Sequence, residues 1–124
     1  MNDDWQPTIC IDLDGTLAEY HGWNGEWTPI GPPIDGAREF CEQLQREGWR
    51  IIIHTCRGQL AEVEVWLRRN EIPHDGINCT AHNADGSSSK PIADVYLDDR
   101  AVRFEGTFDD ALRQLHRKPW WEEG

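Results

Sequence analysis

Two aspartates one residue apart close an apolar run in "TICIDLDGTLAEY", Thr8 to Tyr20. A hydrophobic strand that ends on Asp12 and Asp14 and runs at once into Gly15 and Thr16 sets two carboxylates beside a sharp turn. Main-chain N–H groups of such a turn can also face an anion. A second pair, Asp98 and Asp99, closes the later apolar run "IADVYLDD", Ile92 to Asp99. Thr55 closes "WRIIIHT", and Lys90 stands just ahead of the run that ends on Asp98. If these runs are neighbouring strands, all of these side chains gather at one edge of a sheet. Carboxylates buried together repel one another unless a cation or a proton offsets the charge. A hard divalent ion with oxygen ligands is the economical solution. Mg²⁺, which keeps several waters and is held by one or two carboxylates plus a substrate phosphate, fits best.

The elements that must position these groups alternate in type. The β-branched run Trp49 to Thr55 follows a segment in which Ala37, Phe40, Cys41 and Leu44 recur at helical spacing, with Asp35 as N-cap and Gly48 as a C-terminal stop. This is a β-α-β unit. Leu60, Val63, Trp66 and Leu67 predict a second helix ending near Asn70 and Pro73, and "GINCT" a short third strand. After the polar loop "AHNADGSSSK" and the strand that ends on Asp99, "VRFEG" reads as a brief edge strand. "TFDDALRQLHR" then reads as a final helix with Thr107 and Asp110 set for a capping box. Strands separated by helices of this length predict an α/β fold with a mainly parallel sheet and helices on both faces, three layers in all. Ligands of such sheets bind outside the carboxyl ends of the strands, where strand order reverses.

Composition narrows the function classes. The 124 residues suit one compact domain spanning 1–124, and 12 Lys and Arg against 23 Asp and Glu give a net charge of -11. That field repels polyanions, so general nucleic-acid binding is disfavoured, although local cations and a metal can still hold one phosphate. "MNDDWQPT" lacks the apolar core of a secretory signal and no run is long enough to span a membrane, which predicts a soluble cytoplasmic protein. Cys10, Cys41, Cys56 and Cys79 form no CxxC pair and read as buried free thiols.

At this point the sequence resembles the haloacid dehalogenase superfamily. "DLDGT" matches its DxDGT signature, and Thr55, Lys90 and "LDD" stand in the order and spacing of its remaining motifs, over Ile9 to about Phe104. The resemblance implies a Rossmann-like fold and a role for each group. Asp12 is then the nucleophile that forms an aspartyl-phosphate. Asp14 protonates the leaving oxygen and later deprotonates the attacking water. Thr55 donates its hydroxyl to a phosphoryl oxygen, and Lys90 neutralises charge on phosphate and nucleophile. Mg²⁺ is held by the Asp12 side chain, the Asp14 main-chain carbonyl and Asp98, with Asp99 closing the shell directly or through water. The dehalogenases of the superfamily lack the second acid, and its ion-pumping ATPases carry Lys and Thr where this chain has Leu13 and Asp14. Asp14 therefore points to a phosphatase, or less often a phosphotransferase, and a phosphomonoester phosphatase is the expected activity.

Two alternatives stay open. "LDDR" resembles the phosphatase domain of polynucleotide kinase-phosphatases, which implies a polynucleotide 3'-phosphatase against the unfavourable net charge; a non-catalytic phospho-ligand or metal-binding module is the other. Thr16, Arg57 and Arg100 are candidates to contact substrate, with surface salt bridges the alternative for the two arginines. His54 and Cys56, which flank Thr55, read as packing residues. The segment 17–33 is too short for a helical cap and 55–90 is used up by a helix, a strand and a loop, so the expected enzyme is capless. An open site suits an exposed phosphoryl group, or else a neighbouring subunit of a homo-oligomer shields it. Trp23 and Trp27 of the Gly- and Pro-rich flap, and Trp120 and Trp121 of the tail 118–124, are read as packing, substrate or oligomer contacts.

Overall fold

The structure is a computed structural model, and it describes residues 6–22, 28–78 and 91–116. In chain order the elements are β1 (Thr8–Asp12), α1 (Ala37–Arg46), β2 (Arg50–His54), α2 (Leu60–Arg69), β3 (Gly76–Ile77), β4 (Val95–Leu97) and α3 (Phe108–His116). The strands form one all-parallel sheet in the order β3-β2-β1-β4. This is the α/β Rossmann-like architecture that the alternating pattern predicts. Strand order reverses at β1, so the end of β1 is the place where a ligand crevice opens.

Strand alternation divides the sheet into two faces. Ile9 and Ile11 of β1, with Ile51 and Ile53 of β2, join one buried cluster with Ala37, Cys41 and Leu44 of α1 and Val63 and Leu67 of α2. These helical residues recur at spacings of three and four, which is why each helix turns one stripe inward. Phe40 and Leu60, also at helical spacing, lie beside the stripes and are exposed. α3 buries none of its side chains, and β4 is an exposed edge strand.

Helix ends follow backbone geometry more than side-chain caps. The N-cap of α1 is Gly36 with no side-chain hydrogen bond, so the expected Asp35 cap is not formed. Gly48, at φ 88°, ends α1 as expected: the N–H of Trp49 reaches the carbonyl of Leu44 at 3.0 Å and that of Gly48 reaches Gln45 at 3.1 Å. This is a Schellman closure. α2 closes the same way on Glu71, at φ 57°. Half of the expected α3 capping box forms, with the Asp110 N–H donating to Thr107 Oγ1 at 3.3 Å while the Asp110 carboxylate pairs with Arg113.

The predicted edge strand "VRFEG" is absent. The Gln114 amide instead serves the Arg103 backbone, accepting from its N–H at 3.3 Å and donating to its carbonyl at 2.9 Å. The outer strands are held in register by a device with no counterpart in the sequence reading. Asp75, just before β3, accepts the Ile51 N–H at 2.8 Å on its side chain and donates its own N–H to the Ile51 carbonyl at 2.7 Å. Asp94, just before β4, repeats both bonds with Thr8, each at 2.8 Å. No described helix is long and apolar enough to cross a membrane.

Candidate active site

The crevice is built from the carboxyl ends of β1, β2 and β4. After Asp12 the chain turns at once: the Leu13 carbonyl accepts the N–H groups of Leu17 at 3.0 Å and Ala18 at 2.9 Å, and the Gly15 N–H donates to Ala18 at 2.8 Å. Gly15 has φ 90°, and a Cβ there would overlap the Asp99 carboxylate. Two independent constraints thus require glycine, one of conformation and one of space. The Thr16 N–H also turns back to Leu13, at 3.4 Å, and Thr16 Oγ1 is buried with no hydrogen-bond partner. Gly15 and Thr16 therefore spend their N–H groups inside the turn, contrary to the expectation that they face an anion, and Thr16 does not line the crevice.

Asp14 is held by a residue that the sequence left undecided. Arg57 donates from Nε to Asp14 Oδ2 at 2.9 Å and from Nη2 to Oδ1 at 2.8 Å, and its side chain is only 8% exposed. Its remaining Nη1 donates to the Thr28 carbonyl at 2.5 Å. Arg57 is accordingly a largely enclosed ion pair and not a surface salt bridge. It ties the second aspartate to the far stem of the 17–33 loop.

Thr55 is buried, and its backbone is bracketed by Asn78, which accepts the Thr55 N–H and donates to the Thr55 carbonyl, both at 2.9 Å. Thr55 Oγ1 accepts the Arg57 N–H at 3.0 Å, which leaves the hydroxyl hydrogen to be donated. Asn78 has φ 61° and sends its own N–H to Ile53 at 2.8 Å. The one sequence signal for it is that asparagine, among residues other than glycine, tolerates this region well.

The two aspartates after β4 make different contacts. Asp98 Oδ1 accepts the N–H groups of Arg100 at 2.9 Å and Ala101 at 2.6 Å, so one of its oxygens builds the turn. Asp99 is the one whose carboxylate packs against Gly15. The strand here is Val95–Leu97, shorter than the predicted Ile92 to Asp99, which is why both acids lie in the loop.

A cavity of about 760 Å³ opens between these loops. Asp12, Asp14 and Asp98 supply its acidic wall and Arg57 and Arg100 its described cations. His54 and Cys56, expected to be packing residues, also line it; Cys56 is an exposed free thiol, unlike the buried Cys10 and Cys41. The Asp12 carboxyl is pushed up from 3.8 to about 6, first by burial and then by repulsion from Asp99, Asp98 and Asp14, partly offset by the Leu13 N–H. Asp99, Asp98 and Asp14 thus all act on Asp12 through their charge.

Among the described residues, no three Asp, Glu, His or Cys side chains are grouped closely enough to hold a metal ion as they stand. The donor chemistry nevertheless suits a hard cation, because mutual repulsion of oxygen donors around Asp12 is what a divalent charge relieves. Lys90, Cys79, Trp23, Trp27, Trp120 and Trp121 lie outside the described residues.

No protein-family model and no curated protein matches this chain. Two solved structures are similar to it over most of its length. A conserved protein from Bacteroides thetaiotaomicron is 28% identical with a TM-score of 0.65, covering 93% of this chain and 94% of that one. A protein from Vibrio cholerae is 23% identical with a TM-score of 0.50, covering 90% of this chain and 95% of that one, and bears on the fold alone.

Proposed function

We propose that the chain is a Mg²⁺-dependent phosphomonoester phosphatase acting through an aspartyl-phosphate on Asp12. The observation that carries this reading is the placement of Asp12: it ends the strand at which sheet order reverses, borders the cavity, and is repelled by Asp99, Asp98 and Asp14. A carboxylate there is positioned for attack on phosphorus, and its environment favours a counter-charge beside it. The Asp12 side chain, the Asp14 main-chain carbonyl and the carboxylates of Asp98 and Asp99 are the groups that would hold Mg²⁺. The ion supplies neutralisation of phosphoryl charge when bound.

In the first step a carboxylate oxygen of Asp12 forms a bond to phosphorus as the bond to the ester oxygen breaks, and that oxygen takes a proton from Asp14. Water then attacks phosphorus, losing a proton to Asp14 and releasing Asp12. Thr55 donates its hydroxyl hydrogen to a phosphoryl oxygen. Each oxygen of Asp14 accepts one N–H from Arg57 at rest, which leaves a second lone pair on each for a proton, while the guanidinium favours the ionised carboxylate over the protonated acid that the first step uses. Asp12→Asn should abolish Mg²⁺-dependent hydrolysis of an aryl phosphate while leaving the circular dichroism spectrum unchanged. Undiminished turnover in that variant rules Asp12 out as nucleophile.

A second reading, a non-catalytic phospho-ligand module on the same fold, draws support from the Arg57 clamp on Asp14, since binding alone has no need of a protonated acid. A folded wild-type protein without Mg²⁺-dependent turnover on aryl phosphates and a broad metabolite panel would favour it. The polynucleotide 3'-phosphatase reading draws no comparable support, with three acids on the described wall and a net charge of -11.

A further inference from the structure

Asp14 is gripped at both carboxylate oxygens, by Nε of Arg57 at 2.9 Å and by Nη2 at 2.8 Å. Two bonds from one rigid fork fix the tilt and the rotation of a carboxylate, which a single bond leaves free to swing. The residue that grips is itself held at two further points. Its Nη1 donates to the Thr28 carbonyl at 2.5 Å, and its backbone N–H donates to Thr55 Oγ1 at 3.0 Å. Thr28 belongs to the stem of the 17–33 loop and Thr55 follows the end of β2, so two separate segments set the orientation of Asp14 along with its own turn. The Arg57 side chain is 8% exposed and that of Asp14 20%, and Asp14 lines the cavity. The grip is thus the more enclosed side of the pair, and one lone pair on each Asp14 oxygen remains for a proton.

We infer that Arg57 is a positioning residue for proton transfer by Asp14, and that it opens the site to esters whose leaving oxygen cannot depart without a proton. These are the phosphate esters of ordinary alcohols and of unactivated phenols. The inference rests on the phosphatase reading of Asp12. In the first step the Asp14 proton passes to the ester oxygen as its bond to phosphorus breaks, and the alcohol leaves. In the second a water oxygen bonds to phosphorus, the bond to Asp12 breaks with its electron pair returning to that carboxylate, and the water proton passes to Asp14. Charge and geometry pull in opposite directions here. The guanidinium favours the ionised carboxylate, but a partly transferred proton feels only a fraction of that bias, whereas displacing a reacting group by 1 Å costs about 10²-fold. Positioning therefore prevails.

The test compares kcat/KM for phenyl phosphate and p-nitrophenyl phosphate in Mg²⁺ buffer. The two esters share a ring and a phosphoryl group, but nitrophenolate departs unaided where phenolate needs a proton. Arg57→Gln should lower kcat/KM at least about tenfold for phenyl phosphate and less than about threefold for p-nitrophenyl phosphate. Arg57→Lys keeps the charge beside Asp14 without the two-point grip, and should show a smaller change in the same direction. Loss of a structural brace, or of a direct contact to the phosphoryl group, would lower both esters alike. With p-nitrophenyl phosphate, acid-quenched Arg57→Gln should also carry more aspartyl-phosphate at steady state than wild type, because the second step waits on Asp14. An equal fall for both esters, an unchanged ratio, a phenyl rate that rises, or no added aspartyl-phosphate would each overturn the inference. Failure of the phosphatase reading is separate: wild-type protein would then release neither phenol, and the inference would fall with it.

Discussion

Asp12 should destabilise the metal-free protein, and Asp12→Asn measures by how much. Asparagine keeps the shape of the side chain and removes the charge that burial and three neighbouring carboxylates oppose. The gap between the ordinary value of 3.8 and the raised value of about 6 corresponds to about 3 kcal/mol at 1.36 kcal/mol per pH unit. Asp12 retains solvent contact, and screening reduces the figure to about 1–2 kcal/mol. The sign follows from proton binding. Between pH 3.8 and about 6 the native chain holds a proton on Asp12 that the unfolded chain has released. Stability therefore falls as pH rises through that window, and the full penalty is present above it. Urea unfolding in EDTA, followed by tryptophan fluorescence, should show Asp12→Asn more stable than wild type by about 1–2 kcal/mol at pH 7.5, with the gap closing toward pH 3.8. Saturating Mg²⁺ should then stabilise wild type more than the variant. A variant no more stable at pH 7.5, or a gap of unchanged size at low pH, would refute the account of Asp12.

Three further outcomes follow from the same geometry. A double-mutant cycle with Arg57→Met and Asp14→Asn should give a coupling of about 2–3 kcal/mol in urea unfolding, as expected for a largely enclosed bidentate pair, and a coupling under about 0.5 kcal/mol would show that the clamp is loose. Gly15→Ala combines a left-handed backbone with overlap on Asp99, so it should cost at least about 2 kcal/mol and weaken the Mg²⁺-induced rise in melting temperature; a neutral substitution contradicts both constraints. Asn78→Ala removes both amide bonds to Thr55 and strains the backbone, for about 2–3 kcal/mol, whereas Asn78→Gly should recover roughly 1 kcal/mol of it because glycine accepts φ 61°. Equal stabilities of these two Asn78 variants would exclude the backbone share.

What the sequence made legible was whatever is written locally. Thr8 to Asp12 and Arg50 to His54 are uninterrupted apolar or β-branched runs, and the stripes of α1 and α2 recur at helical spacing, so the sheet and its two packed helices could be read from pattern. Asp12, Asp14, Thr55 and Asp98 could be placed together because each ends or follows a strand of one parallel sheet. The rest depends on partners distant in the chain. Nothing near Arg57 announces that it meets Asp14, 43 residues earlier, and nothing near Asn78 announces Thr55. Asp75 and Asp94 look like ordinary loop acids until strand pairing sets them opposite Ile51 and Thr8. Asp98 and Asp99 are identical neighbours, and only the point where β4 stops decides which builds the turn and which meets Gly15. The edge strand read in "VRFEG" failed because one glutamine amide supplies the bonds that a neighbouring strand would have offered.

The stems of the loop after β1 have a use beyond the present molecule. Glu19 donates its N–H to Pro32 at 2.8 Å and Ile34 to Leu17 at 2.7 Å, while Trp66 Nε1 reaches the Gly31 carbonyl at 3.0 Å and Arg57 holds Thr28. A foreign segment grafted between Gly22 and Thr28 would thus be carried on two stitched rails, leaving the aspartates of β1 in place. The scaffold offers a protein engineer a socket for a roof of chosen size, and with it a way to trade breadth of substrate for enclosure without recutting the chemistry beneath.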